Sequence, residues 1–187
     1  MKNRLSNVSD EVLMELLSKG SKPAFNEIYA RYSQNLLRYM HRMLYSNEAV
    51  AQDKLHDIFL KIIEKPHLFD TSKKFSSWIY KVASNECLKF HRSYKYSESL
   101  DTIKQQDTTD ILSQIDDKAF QSSLLLHLGS LKIEHRQVFI LRFQEHLSVA
   151  QISDIMDCPI GTTKSRIHYA TKLLASKLES YNPLKTR

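Results

Sequence analysis

Residues 148–174, SVAQISDIMDCPIGTTKSRIHYATKLL, contain two helical patterns separated by a short break. Ser148 is a suitable N-cap for the first helix, because its hydroxyl can accept a hydrogen bond from an amide of the first turn. Pro159 lacks the amide that would continue this helix, so we expect a turn at residues 157–159 and a second helix from Thr162. The inward face of the second helix recurs every three or four residues, at Thr163, Ile167, Ala170 and Leu174. The stretch therefore predicts a helix-turn-helix.

The outward face of this second helix is basic and rich in hydrogen-bonding groups. No Asp or Glu occurs from residue 160 to residue 177. Such a helix suits the major groove of DNA, where cations neutralise phosphates and polar side chains reach base edges. A merely solvated basic face is the alternative. We predict DNA contacts from Thr162, Lys164, Ser165, Arg166, His168, Tyr169 and Lys172.

The rest of the chain also favours helices, because it contains only three Gly and four Pro and no long strand-like alternation. Apolar residues at three- and four-residue steps predict four earlier helices, at about 11–19 (with Asp10 as N-cap), 23–44, 47–64 and 75–91. The stretch that follows is rich in Ser, Thr, Asp and Gln, which indicates a linker. The sequence thus predicts an all-α fold with two small helical domains, at 1–95 and 123–187, joined by a polar linker at 96–122.

The charge is distributed in three blocks. The formal net charge is +6, with 15 Lys/Arg against 10 Asp/Glu in residues 1–92, 3 against 6 in 93–124, and 9 against 5 in 125–187. Two basic blocks around an acidic one indicate two surfaces for a nucleic acid and a connector that avoids it.

Several function classes find no support in the sequence. Cys87 and Cys158 are isolated and the histidines are scattered, so we expect no disulfide, no metal site and a reducing compartment. No apolar run is long enough for a bilayer, and the N-terminus lacks a secretory signal, so we expect a cytoplasmic protein without membrane insertion. Without a phosphate-binding loop or a nucleophile elbow, we predict no enzyme, no catalytic residue and no cofactor.

A second candidate surface lies between residues 73 and 96, where six aromatic residues alternate with six Lys or Arg. Stacking of an unpaired base on an aromatic ring contributes about 1–3 kcal/mol and requires that the base leave the duplex. This composition favours single-stranded DNA. Our candidates are Lys73, Lys74, Trp78, Lys81, Asn85 and Arg92. For Phe75 and Trp78, a place in the core is the favoured interpretation.

These motifs together resemble the extracytoplasmic-function group of sigma-70-type RNA polymerase sigma factors. Residues 136–143 (RQVFILRF) and 161–166 (GTTKSR) resemble region four, which binds the −35 element. Residues 24–32 (AFNEIYARY) resemble the start of region two. Residues 51–61 (AQDKLHDIFLK) resemble the segment that docks on the β′ clamp helices. Residues 75–92 (FSSWIYKVASNECLKFHR) resemble the segment that recognises and melts the −10 element.

The resemblance implies a factor that directs core RNA polymerase to specific promoters and promotes −10 melting. Its partners would be core polymerase, through the β′ clamp helices and the β flap, promoter DNA and an anti-sigma factor. Polymerase docking would fall to Gln52, Asp53, His56 and Asp57; the alternative is a solvated face in which Lys61 pairs with Asp57. Thr163 and Tyr169 depart from the family pattern, which leaves the bases that are read open. A DNA-binding regulator that acts without replacing another sigma factor is the second hypothesis.

Overall fold

The computed structural model describes residues 5–44, 47–98 and 115–179, and in these ranges the chain forms eight α-helices and no strand. The helices are α1 (Asp10–Ser18), α2 (Lys22–Met43), α3 (Glu48–Glu64), α4 (Phe75–Glu98), α5 (Ile115–Gly129), α6 (Ile133–Phe143), α7 (Val149–Met156) and α8 (Ile160–Lys177). A short 3₁₀ turn, Pro66–Leu68, precedes α4. The predicted all-α fold with two helical domains is confirmed.

Helices α1–α4 form the N-terminal unit, in which α2 packs against the other three helices. Apolar side chains on the facing sides of these helices are fully buried, among them Leu13, Ile28, Leu36, Met40, Ile58, Phe75 and Ile79. Removing each such side chain from water contributes about 1.5–3 kcal/mol. The buried hydroxyls of Tyr39 and Ser84 lie 2.7 Å apart and hydrogen-bond each other, so the core holds no unsatisfied phenol there.

The first helix begins differently from the prediction. Ser9, not Asp10, is the N-cap, and its hydroxyl accepts from the amide of Val12. Asp10 instead accepts hydrogen bonds from Arg31 at 2.6 Å and from the Tyr32 hydroxyl at 2.5 Å. Asp10 therefore makes a long-range ion pair instead of capping α1, and this pair ties α1 to α2.

Helices α5–α8 form the C-terminal unit, with α6 packed along α8 and α7 lying against both. Ser148 caps α7 in a capping box with Gln151, as the sequence predicted for Ser148. The helix ends at Met156, its C-cap Asp157 has φ 53° in the left-handed region, and α8 starts directly after Pro159. The predicted helix-turn-helix is confirmed, and α8 begins two residues before Thr162.

The two units contact each other through α4 and α7 and through α2 and α6. Arg136 is almost fully buried at this junction. Its guanidinium donates to the carbonyls of Leu128 (2.9 Å) and Gly129 (2.6 Å) at the end of α5 and to that of Met43 (3.0 Å) at the end of α2. Because helix C-termini carry partial negative charge and unpaired carbonyls, one arginine stabilises both ends.

The predicted linker is bounded differently. Helix α4 continues to Glu98, and α5 already starts at Ile115. Both ends of the segment predicted at 96–122 are therefore helical, and residues 99–114 lie outside the described ranges. The division into domains at 95 and 123 stays a prediction.

Candidate nucleic-acid interface

Helix α8 presents the two faces that its sequence predicts. Thr163, Ala170 and Leu174 are buried, and Ile167 packs against the core. On the opposite side Lys164, Ser165, His168, Tyr169 and Lys172 are exposed, whereas Thr162 and Arg166 are half-buried. The hydroxyl of Thr163 lies 3.3 Å from the Sγ of Cys158, so the start of α8 is held against the turn.

Arg166 lies at the edge of the exposed face. Its Nη1 is 3.7 Å from the Sγ of Cys158. A thiol is a weak acceptor, so most of the hydrogen-bonding capacity of the guanidinium remains for a stronger partner. Tyr169, one turn further on, places its ring against that of His135 on α6, with 4.5 Å between the centroids.

The N-terminal part of the second candidate surface is exposed. The ammonium groups of Lys73 and Lys74 lie 3.9 Å from the carboxylates of Asp70 and Glu11, respectively. Two hydrogen bonds from Ser72 lower the pKa of Asp70. Glu11 also accepts from the amide of Phe75 at 3.3 Å, so it caps the start of α4.

Trp78 occupies an aromatic cluster rather than a free surface. It is half-buried, and its ring centroid lies 5.3 Å from that of Phe69 and 5.6 Å from that of Phe75, which is fully buried. This placement agrees with the core interpretation of both residues. Trp78 therefore packs against Phe69, at the start of the loop at residues 69–74.

Lys81, Asn85 and Arg92 lie further along α4, on the side that faces the C-terminal unit. They line a cavity of about 530 Å³ together with Arg166 and residues of α6 and α7. The ammonium of Lys81 is 3.8 Å from the carboxylate of Asp157, in the turn before α8. The structure therefore brings candidates for the −10 element beside a candidate for the −35 element, which the sequence did not indicate.

A second contact joins the units beside this cavity. The hydroxyl of Tyr80 on α4 donates to the carboxylate of Glu145, in the loop between α6 and α7. Burial, followed by this hydrogen bond to a carboxylate, raises the pKa of Tyr80. The ring of Tyr80 packs edge-on against that of Tyr39, with centroids 5.5 Å apart.

The predicted docking residues lie along α3. Gln52, Asp53 and His56 are exposed and Asp57 is half-buried. The predicted pair of Lys61 with Asp57 is wrong: Lys54 lies 3.2 Å from Asp57, and Lys61 reaches Glu86 on α4 at 3.0 Å. Glu86 is buried and accepts from both Lys61 and Lys89, each at 3.0 Å.

Sequence reasoning missed two apolar residues on the same helix. Leu60 and Ile63 are 44% and 46% exposed, although Ile63 fits the inward pattern. Together with Asp53 and His56 they follow three- and four-residue steps along one exposed stripe of α3. This spacing in the sequence was the signal that could have assigned Leu60 and Ile63 to the exposed stripe. The stripe combines a carboxylate with apolar surface.

Within the described ranges, no group of three or more His, Cys, Asp or Glu side chains is arranged to hold a metal ion. None of the helices in those ranges combines the length and apolar character that a membrane span requires.

Comparison with known proteins places both units in one group. Residues 28–96 match the family model Sigma-70 region 2, and residues 122–174 match Sigma-70, region 4. Over 174 residues the chain is 28% identical to the ECF RNA polymerase sigma factor SigW of Bacillus subtilis (strain 168), covering 87% of this chain and 92% of that protein. It is 26% identical over 184 residues to the ECF RNA polymerase sigma-E factor of Escherichia coli (strain K12), covering 92% and 95%.

A solved structure shares the fold. The sigma factor RpoE from Bartonella quintana, crystallised in complex with the anti-sigma factor NepR, superposes with a TM-score of 0.72 at 21% identity, covering 83% of this chain and 96% of that one.

Proposed function

Since the chain belongs to the extracytoplasmic-function group of sigma-70 RNA polymerase sigma factors and thus acts in transcription initiation, we propose that it directs core RNA polymerase to specific promoters and promotes melting of their −10 element. The exposed face of α8, without any carboxylate from residue 160 to residue 177, carries this proposal. It would enter the major groove of the −35 element, where Lys164 and Lys172 neutralise phosphates and Arg166 contacts a phosphate or a guanine edge. Thr162, Ser165, His168 and Tyr169 complete that surface.

The −10 element would bind at the start of α4 and along its length. Lys73 and Lys74 are exposed and only loosely paired, so DNA phosphates can replace their carboxylate partners. Lys81, Asn85 and Arg92 would extend the track. A surface that binds unpaired strands more tightly than duplex shifts the equilibrium toward base pairs that have opened thermally. Trp78 would act mainly by supporting the loop at residues 69–74.

Promoter binding requires that the two units separate. Lys81, Asn85 and Arg92 line the cavity that α6–α8 close, and Arg166 lines the same cavity. Lys81 also lies 3.8 Å from Asp157 of the C-terminal unit, and the two promoter elements lie apart along the duplex. We infer that docking on polymerase stabilises an arrangement in which α4 and α7 no longer touch.

The partners follow from the same surfaces. The stripe of α3 with Gln52, Asp53, His56 and Asp57 would dock on the β′ clamp helices, and the C-terminal unit would contact the β flap. An anti-sigma factor is a further proposed partner, supported by the fold shared with a sigma factor solved in such a complex. The place of action would be the cytoplasm, where polymerase and promoter DNA are found.

Reconstitution with core RNA polymerase tests this proposal. We expect run-off transcription from promoters that the holoenzyme selects out of genomic fragments. Arg166→Ala should weaken promoter binding about tenfold, since a good base-edge contact is worth about 1–3 kcal/mol, and should leave the affinity for core polymerase unchanged. Asp53→Ala combined with Asp57→Ala should do the reverse.

Matched controls separate these effects from nonspecific changes of charge. Lys19→Ala removes an exposed cation at the end of α1, and Asp154→Ala an exposed carboxylate on α7; neither should change either affinity by more than about twofold. Tight duplex binding by the chain alone, without initiation in the presence of core polymerase, would contradict the proposal and favour the regulator hypothesis.

A further inference from the structure

Tyr169 stands in the middle of the DNA-facing stripe of α8. It follows Ser165 by one turn and precedes Lys172 by one turn. Its side chain is 54% exposed, and its ring lies on the ring of His135 with 4.5 Å between centroids and 34° between planes. This geometry lies within the range of favourable aromatic contacts.

His135 lies in the first turn of α6 and contacts Tyr169 through its ring. Its Nδ1 is buried and has no hydrogen-bond partner among the described residues. Burial lowers the pKa of His135, and the cations Lys132 and Arg166 act in the same direction against Glu134. The imidazole is therefore neutral near pH 7 and offers Tyr169 an uncharged aromatic platform.

We propose that His135 is a positioning residue that holds the phenol of Tyr169 toward promoter DNA, and that Tyr169 thereby selects one or two base pairs of the upstream element. This inference rests on the proposed function. The ring of a tyrosine can make an apolar contact with a thymine methyl group, and its hydroxyl can donate to an acceptor on a base edge. Because the platform already restricts the ring in the free protein, binding loses less side-chain freedom, which corresponds to about a two- to tenfold gain in affinity.

Selection of upstream sequences by the holoenzyme tests the pair. Core RNA polymerase with the full chain would bind duplexes that keep a selected promoter but are randomised over the upstream element, and sequencing would record the base preference at each position. We expect Tyr169→Ala to abolish the preference at one or two adjacent positions. His135→Ala should weaken the preference at those same positions and reduce affinity two- to tenfold, whereas His135→Phe, which keeps a platform, should restore both.

The double variant and a control make the test decisive. With Tyr169→Ala already present, His135→Ala should have no further effect, because the two residues act through one contact. Phe143→Ala removes another aromatic contact of α6, that with Phe139, and should shift no base preference. The proposal that His135 acts through Tyr169 would be overturned by either of two results. One is an equal effect of His135→Ala with and without Tyr169, and the other is a loss of affinity without a change of base preference at any position.

Failure of the proposed function gives a different result. In that case the unmodified chain would select no upstream sequence with core polymerase, and the inference on Tyr169 would fall with it. If the unmodified chain selects a sequence and the variants leave that sequence unchanged, only the inference on His135 and Tyr169 is wrong.

Discussion

The contact between α4 and the loop after α6 allows a quantitative prediction about separation of the two units. Tyr80 is only 5% exposed, and Tyr80→Phe would keep its ring contact with Tyr39 while removing the hydroxyl that donates to Glu145. A hydrogen bond to a charged group contributes about 1.5–3 kcal/mol. Glu145 is half-buried and regains some water when the hydrogen bond is lost, so we take the lower value, about 1.5 kcal/mol. This corresponds to about a tenfold larger open population, meaning the fraction of molecules in which the two units are separated.

The neighbouring ion pair should contribute less. The carboxylate of Asp157 is 89% exposed and lies 3.8 Å from Lys81, and exposed pairs of this kind are worth about 0–1 kcal/mol. Asp157→Asn should therefore increase the open population by at most about fivefold. Asp154→Asn makes the same change of charge one turn earlier and should have no effect.

Energy transfer between dyes at Lys19→Cys and Ser176→Cys, after Cys158→Ser, would report the separation. Both labelled positions are exposed, and Cys87 is buried. We expect the population with long dye distances to rise in the order Asp154→Asn, Asp157→Asn, Tyr80→Phe. Tyr29→Phe removes an exposed hydroxyl from α2 and serves as the control for Tyr80→Phe. Equal distance distributions for these two variants would refute the reasoning.

Three further predictions concern stability. Arg136→Lys keeps the charge, but a lysine cannot reach three carbonyls, so the free energy of unfolding measured in urea titrations should fall by about 2–4 kcal/mol. The control Arg38→Lys changes an exposed arginine and should lower it by less than about 0.5 kcal/mol. Equal losses for the two variants would contradict the role of Arg136. His146 has φ 55°, in the left-handed region that glycine adopts more easily than other residues. His146→Gly should therefore raise the free energy of unfolding by about 1 kcal/mol, and His146→Ala should not. No gain with Gly would show that the loop is not strained. Burial lowers the pKa of both His91 and His135. The unfolded chain therefore binds protons more readily, and the free energy of unfolding should fall as pH drops below about 6.5; urea midpoints that are equal at pH 7.5 and 5.5 would contradict this.

Helical periodicity predicted most of the secondary structure, because it reports which side of a helix is apolar. Thr163, Ala170 and Leu174 are buried as their spacing requires. The same pattern places Ile63 inward, yet this residue, in the last turn of α3, is nearly half exposed. Periodicity states that a residue is apolar and faces a given side, but not how far its neighbours extend.

Contacts between distant segments could not be predicted in this way. Asp10 has the residue type of an N-cap, but Arg31 and Tyr32 lie 21 and 22 positions away and bind its carboxylate. Arg136 looks like an exposed cation in a sequence and is almost fully buried against three carbonyls. In both cases the partner is specified by tertiary packing, and a single sequence contains no local sign of it.

Ion-pair geometry distinguishes the cations that hold the fold from those proposed to bind DNA. Arg31 lies 2.6 Å from Asp10 and 2.9 Å from Glu27, with all three side chains at most 25% exposed. Lys73, Lys74 and Lys81 lie 3.8–3.9 Å from their carboxylates and are 42–80% exposed. Exposed pairs at such distances are weak and screened by salt, so an incoming phosphate can replace them at little cost. If Lys74 contacts a phosphate as proposed, DNA affinity should depend on salt more steeply for the unmodified chain than for Lys74→Gln, by about one unit of the logarithmic slope. An unchanged slope would show that Lys74 contacts no phosphate.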